Sequence, residues 1–463
     1  MAASPNEVYW IELVLFYALA LGIVCLPLRW SLLCLLLAGN VAVNSPSFVS
    51  TSSVSWQNAI ETVVLPIVLM LRLTRFRFPR IEWRFPSKVW VALIVYAAIS
   101  ILWSPFKLSG VKMVAYLVAW FVLYIVFHIA WRQRLLDQAQ VIAALWGSIS
   151  LACVQTYALG NPLFGVGDRV GEFVSAQFAP FRGPQYFGPF LACVLSLLLF
   201  SRERRRLRNL SILACLVALL LTASRYSLIE ASFVLLAGCA LWTGVLCAGG
   251  RVRFGRALTI LGVVTLVFFG FRAVIARTMT DSRINQLLEL GSQPDVAEQG
   301  DFGWRLLVYG RTLTTLSERP LLQKIFGSGT SSGGEVATEI TDDSLDSVDP
   351  NRTIHDEFLR AEFEWGLVGL SLGVGMLIYS LRKLWARSFR LNFLSAYAAL
   401  AIMPGIFLAL LVENPLAGPS GAEGLGYLLV LTYGFCLSPR TAPNIFSGIR
   451  ASNSPAMPEA SRG

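Results

Sequence analysis

Uncharged apolar runs long enough to cross a bilayer recur along almost the whole chain, and this repetition leaves little choice of fold. Backbone placed in hydrocarbon must satisfy its own hydrogen bonds, so an apolar run of roughly 17 to 25 residues implies a transmembrane helix. Such runs lie near residues 8–27, 30–46, 58–73, 88–104, 111–130, 138–158, 185–201, 208–223, 226–248, 257–275, 365–384, 392–412 and 421–437. Pro27 and Arg29 leave the first two short. The expected fold is all-α: a polytopic membrane helix bundle of 12 to 13 spans with one large extracytoplasmic loop containing short interfacial helices. Composition agrees, with 55% hydrophobic and 14% charged residues; soluble domains carry about a quarter charged.

The division that follows is an N-terminal bundle over residues 1–275, an extracytoplasmic loop over 276–354, C-terminal membrane helices over 355–437, and a Ser-, Pro- and Gly-rich disordered cytoplasmic tail over 438–463. Residues 1–8 lack the basic start of a cleavable signal, so the first span is expected to stay. All eight cysteines fall in or beside spans, which argues against a disulfide framework or a cysteine metal site.

Arginines set the orientation. The clusters at 72–84, 132–134, 202–208, 251–256 and 382–390 fall on one side when the spans from the third onward are threaded alternately. The positive-inside rule makes that side the cytoplasm. Clusters of this kind read as topology signals beside anionic lipid rather than as a nucleic-acid surface. The opposite side is acidic: residues 276–353 hold twelve Asp and Glu against seven Lys and Arg, although the whole chain carries +10.

Three arginines on that acidic side therefore call for a reason: Arg182 at the entry to a span, Arg225 in a tight turn between two spans, and Arg305 in Gly303-Trp-Arg. Each one taken singly is accounted for by snorkelling or by an ion pair, and Glu230 is a natural partner for Arg225. Taken together, guanidinium groups match phosphate oxygens with paired hydrogen bonds and suit a diphosphate. His355 lies where the loop returns to the membrane, and imidazole titrates near neutrality. Thr353 and Asp356 have capping-box spacing, which predicts His355 in the first turn of a helix. Trp304, Leu307, Val308 and Arg311 predict a helix lying along the membrane surface, and Gly327–Gly334 predicts a flexible turn. An outward-facing cavity with these groups fits an anionic amphiphile such as a polyprenyl diphosphate-linked sugar, whose acceptor hydroxyl His355 would orient or deprotonate.

The Ser224-Arg225 turn, the Gly303-Trp-Arg305 segment leading to Pro320 and Phe326-Gly-Ser-Gly329, and His355 followed by Leu359 and Gly366-Leu-Val-Gly369 resemble the O-antigen ligase and O-antigen polymerase superfamily. The resemblance covers roughly residues 180–435, with Tyr226 and Asp356 departing from the family's usual Gly and Asn. It implies a bacterial inner-membrane glycosyltransferase with its active site facing the periplasm. The implied donor is an undecaprenyl diphosphate-linked glycan, and the implied acceptor is a glycan or lipid A-core. No metal, nucleotide or other cofactor is implied. His355 would be catalytic, with Arg225, Arg305 and Arg182 binding the donor diphosphate. Ligase is preferred over repeat-unit polymerase, and protein glycosylation stays open.

A secondary transporter or flippase is the alternative from another class, but internal repeats are not evident and few carboxylates lie in the spans. Asp342, Asp343, Asp346 and Asp349 lack the order of a calcium loop and read as a solvated acidic stretch. His128 reads as an interfacial residue beside Trp131 and Arg132.

Overall fold

A computed structural model describes residues 5–41, 60–74, 85–158, 184–201, 205–222, 225–248, 301–336, 354, 356–390, 394–412 and 422–436. Its helices are α1 (Pro5–Cys25), α2 (Leu28–Ala38), α3 (Leu65–Thr74), α4 (Phe85–Ser100), α5 (Lys107–Arg132), α6 (Gln138–Cys153), α7 (Pro184–Leu199), α8 (Arg205–Leu221), α9 (Arg225–Ala248), α10 (Asp301–Glu318), α11 (Leu321–Phe326), α12 (Glu357–Trp385), α13 (Leu394–Val412) and α14 (Ala422–Cys436). No strand occurs among the described residues. Twelve of the thirteen apolar runs coincide with these helices; the run at 257–275 and the tail at 438–463 lie outside the described residues.

Among the described residues four helices are long and apolar enough to cross a membrane by themselves: Lys107–Arg132, Gln138–Thr156, Glu357–Phe389 and Leu394–Leu411. Others are shorter. The 11 residues of α2 span about 16 Å, half of a ~30 Å hydrocarbon core.

α7 is the centre of the bundle. From Phe187 to Leu198 its side chains are buried on every face, as expected for a helix apolar all round. α14, α9, α8 and α13 enclose it. Small residues bring these backbones together: a Cβ on Gly188 would collide with Ser227 of α9, and one on Gly426 would press on Cys193 of α7.

Described members of four of the basic clusters are linked by hydrogen bonds at one end. Arg72 donates to the carbonyls of Ile23 and Leu26 and, at 2.7 Å, to Ser31, so it caps the C-terminus of α1 and holds the turn into α2. Arg29 in α2 pairs with Asp137, whose capping box with Gln140 starts α6. Gln138 donates to Tyr433 of α14 at 3.1 Å and accepts from Ser201 at 2.8 Å. Arg208 donates to the Ser201 carbonyl, and Arg387 to that of Phe435. Hydrogen bonds thus link the neighbourhoods of residues 72, 132–134, 205–208 and 382–390. The 251–256 cluster lies outside the described residues.

Candidate functional site

The opposite end is built around a crossing of two glycine motifs. α12 contains one non-helical residue, Gly366 (φ 61°, ψ −165°), which separates Glu357–Trp365 from the membrane-spanning remainder. Breaking the helix frees the carbonyls of Phe363 and Glu364. The loop after α11 takes them up: Ser328 N donates to Phe363 O at 3.0 Å and Gly329 N to Glu364 O at 2.9 Å. Arg319 adds a 2.9 Å bond to Phe363 O and stacks its guanidinium 3.5 Å from the centroid of that ring. Gly327 (φ 74°) and Gly366 touch backbone to backbone, so a Cβ on either would overlap the other strand of the crossing.

The run Gly327–Gly334 differs from the flexible turn expected of it. Nearly all of it is buried. Thr330 bonds Ala97 O (2.7 Å), Ser100 and Trp365 Nε1 (2.9 Å), Ser104 donates to its carbonyl, and Ser331 meets Ser109. Hydroxyls at the facing ends of α4 and α5 give the run partners that the local sequence does not supply.

α12 begins three residues later than the capping-box spacing of Thr353 and Asp356 implies. Asp356 is itself the N-cap, accepting from Phe358 N at 2.8 Å and Leu359 N at 2.9 Å. His355 therefore precedes the cap in the chain instead of sitting in the first turn, and it lies outside the described residues. Its neighbours are held on both sides: Ile354 is buried with Val308, Leu316, Val336 and Phe363, and Asp356 is buried at the cap. Burial raises the Asp356 carboxyl above its ordinary range, against the pull of its two backbone donors.

One cluster was not singled out from sequence. Arg360, 1% exposed, lies between Glu357 and Glu364. Nε donates to Glu357 at 2.9 Å with Nη2 on the same oxygen, and Nη1 reaches Glu364 at 3.1 Å. Burial pushes the Glu364 carboxyl up, while Arg360 and the amides of Ser331 and Gly333 pull it down. The available signal was the carboxylate–arginine–carboxylate spacing of three and four residues, which places all three on one helix face.

Beside this triad an apolar groove of about 180 Å³ opens. It starts at Glu357 and Phe358, passes Trp120 and Tyr427, and extends to Ser380 and Phe435. Beyond the break at Gly366 it follows α12 from Gly369 to Ser380, about 16 Å.

Of the predicted arginines, Arg305 is half-buried in the second turn of α10, one turn before Val308, which packs against Ile354. Arg225 opens α9, its side chain outside the described residues, as is the whole of Arg182. Glu230, expected near Arg225, is fully buried and accepts from Tyr427 at 2.8 Å. It abuts Gly405 of α13, and Tyr309 of α10 reaches the carbonyl of Leu411 at the end of that helix. The elements bearing Arg225 and Arg305 thus approach the same end of α13. α10 forms as predicted, but its buried stripe is Val308, Thr312 and Leu316, facing protein, with Leu307 exposed. Among the described residues no three His, Cys, Asp or Glu side chains gather as a metal site, and Asp342–Asp349 lie outside them.

An all-helical bundle of apolar helices, basic at one end and closed by a loop–helix crossing at the other, defines a multi-pass membrane protein. Residues 210–374, from α8 into α12, match the family model described as O-Antigen ligase, which supports the resemblance to the O-antigen ligase and polymerase superfamily. The match takes in Arg225, Arg305, both glycine motifs and His355. No curated protein matches the sequence.

Proposed function

We propose that the protein transfers a glycan from undecaprenyl diphosphate to an acceptor hydroxyl at the periplasmic face of the bacterial inner membrane, as an O-antigen ligase with lipid A-core as acceptor. The observation that carries this reading is the apolar groove, whose lining includes Glu357 and Phe358, two and three residues after His355 in the chain. The polyprenyl tail would lie along α12. The diphosphate would then sit above the groove, where Arg225, Arg305 and Arg182 bind its oxygens. The positive-inside rule assigns the basic end to the cytoplasm and the glycine crossing to the periplasm.

In this mechanism the acceptor oxygen attacks the anomeric carbon, the carbon–oxygen bond to the diphosphate breaks, and the hydroxyl proton passes to His355. The leaving diphosphate gathers negative charge, which the arginines stabilise as metal ions do elsewhere. His355→Ala is expected to lower transfer from purified lipid-linked glycan by on the order of 10²- to 10⁴-fold, with wild-type turnover unaffected by chelator. Full activity of the variant would overturn the mechanism; loss with chelator would give the charge-stabilising role to a metal. A single transfer to lipid A-core supports ligase, and lengthening repeats would reassign the enzyme as a polymerase.

A further inference from the structure

We infer that Arg360, gripped by Glu357 and Glu364, is a positioning residue that fixes Ile354 and Asp356, the residues on either side of His355, beside the groove. The inference rests on the reading of His355 given above. Three buried charged side chains are a costly way to fill space, because desolvation offsets much of their attraction and apolar side chains would fill it at least as well. Stability alone does not account for them, and their attachments indicate another role.

Each member holds an element that flanks His355. Glu357 follows the cap residue and lines the groove. The backbone N–H of Arg360 donates to Asp356 O at 2.8 Å. Glu364 accepts from Gly333 N at 3.4 Å, and Gly333 lies against the Ile354 side chain. The guanidinium also stands 4.9 Å from the ring centroid of Trp365, the residue that donates to Thr330. The guanidinium therefore bears on the groove lining through Glu357 and on the buried loop through Glu364, while the bond to Asp356 O is the ordinary backbone bond of the first helical turn. The task needs arginine, since a single ammonium cannot reach Glu357 and Glu364 through the separate arms of a planar fork. A base displaced by about 1 Å loses on the order of a hundredfold in rate.

The test is to replace the whole triad with apolar residues, Glu357→Met, Arg360→Leu and Glu364→Leu together, alongside Arg360→Lys alone and His355→Ala. The triple variant should unfold at or above the wild-type temperature, yet its kcat, read at saturating donor because Glu357 also lines the groove, should fall by ten- to a hundredfold. A stable triple variant with wild-type kcat would overturn the inference and leave the triad as packing. Should the triple variant not fold, Arg360→Lys decides: reduced kcat with folding retained supports positioning, and wild-type kcat refutes it. Normal transfer by His355→Ala would instead sink the underlying mechanism, whereas an inactive His355→Ala beside fully active triad variants would remove only this inference.

Discussion

Gly366 is the residue on which the site depends most. Alanine there would need a left-handed backbone and would drive a methyl into Ile325 O and Gly327 N. Gly366→Ala is therefore expected to destabilise the protein by about 2 kcal/mol or more, read as a lower thermal midpoint in detergent. Asp356→Ala should cost about 1 kcal/mol through the lost cap, and Asp356→Ser should recover most of it. The glycine motifs were visible in the sequence, but their mutual contact was not, because they lie almost forty residues apart. Arg360 escaped notice for a related reason. Glu, Arg and Glu at helical spacing look like any solvated face until a loop from elsewhere covers them. The departures at Tyr226 and Asp356 split in meaning: Asp356 has a defined capping role, while the Tyr226 side chain lies outside the described residues.

Helices in the membrane were the most legible elements, since each must close its own hydrogen bonds and so announces itself as one apolar run. α10 was legible as a helix, but its packed face was not, because it buries Val308, Thr312 and Leu316 against Ile354 and Phe363 instead of following its most apolar stripe. α12 supplies the test of the groove. Gly373 lines it, and a Cβ added there meets nothing within 4 Å. Gly373→Leu should leave the thermal midpoint in place and raise donor KM on the order of tenfold, measured with lipid-linked donor of fixed tail length. An unchanged KM would remove the groove from donor binding.

At the scale of the molecule, the arginine clusters predict an orientation, and the structure shows contacts among their described members. Arg72, Arg29, Asp137, Gln138 and Ser201 form a belt of hydrogen bonds at one end, remote from Thr330 and the glycine crossing. In a background lacking native cysteines, Lys324→Cys should react with an impermeant maleimide on intact spheroplasts, and Arg134→Cys only after permeabilisation. The reverse pattern would invert the protein and move the site to the cytoplasm. What the sequence could not convey is the assembly of the outer end, where α4, α5, α11 and α12 interlock through hydroxyls and freed carbonyls.

That interlock also sets an order of events during synthesis. Gly329 has to wait for Glu364, 35 residues further along the chain. At about 5–20 residues per second, the nascent loop spends roughly two to seven seconds with its amide donors unclaimed. Water must serve it for that interval, so the segment has to cross to the aqueous side before α12 arrives to complete the site.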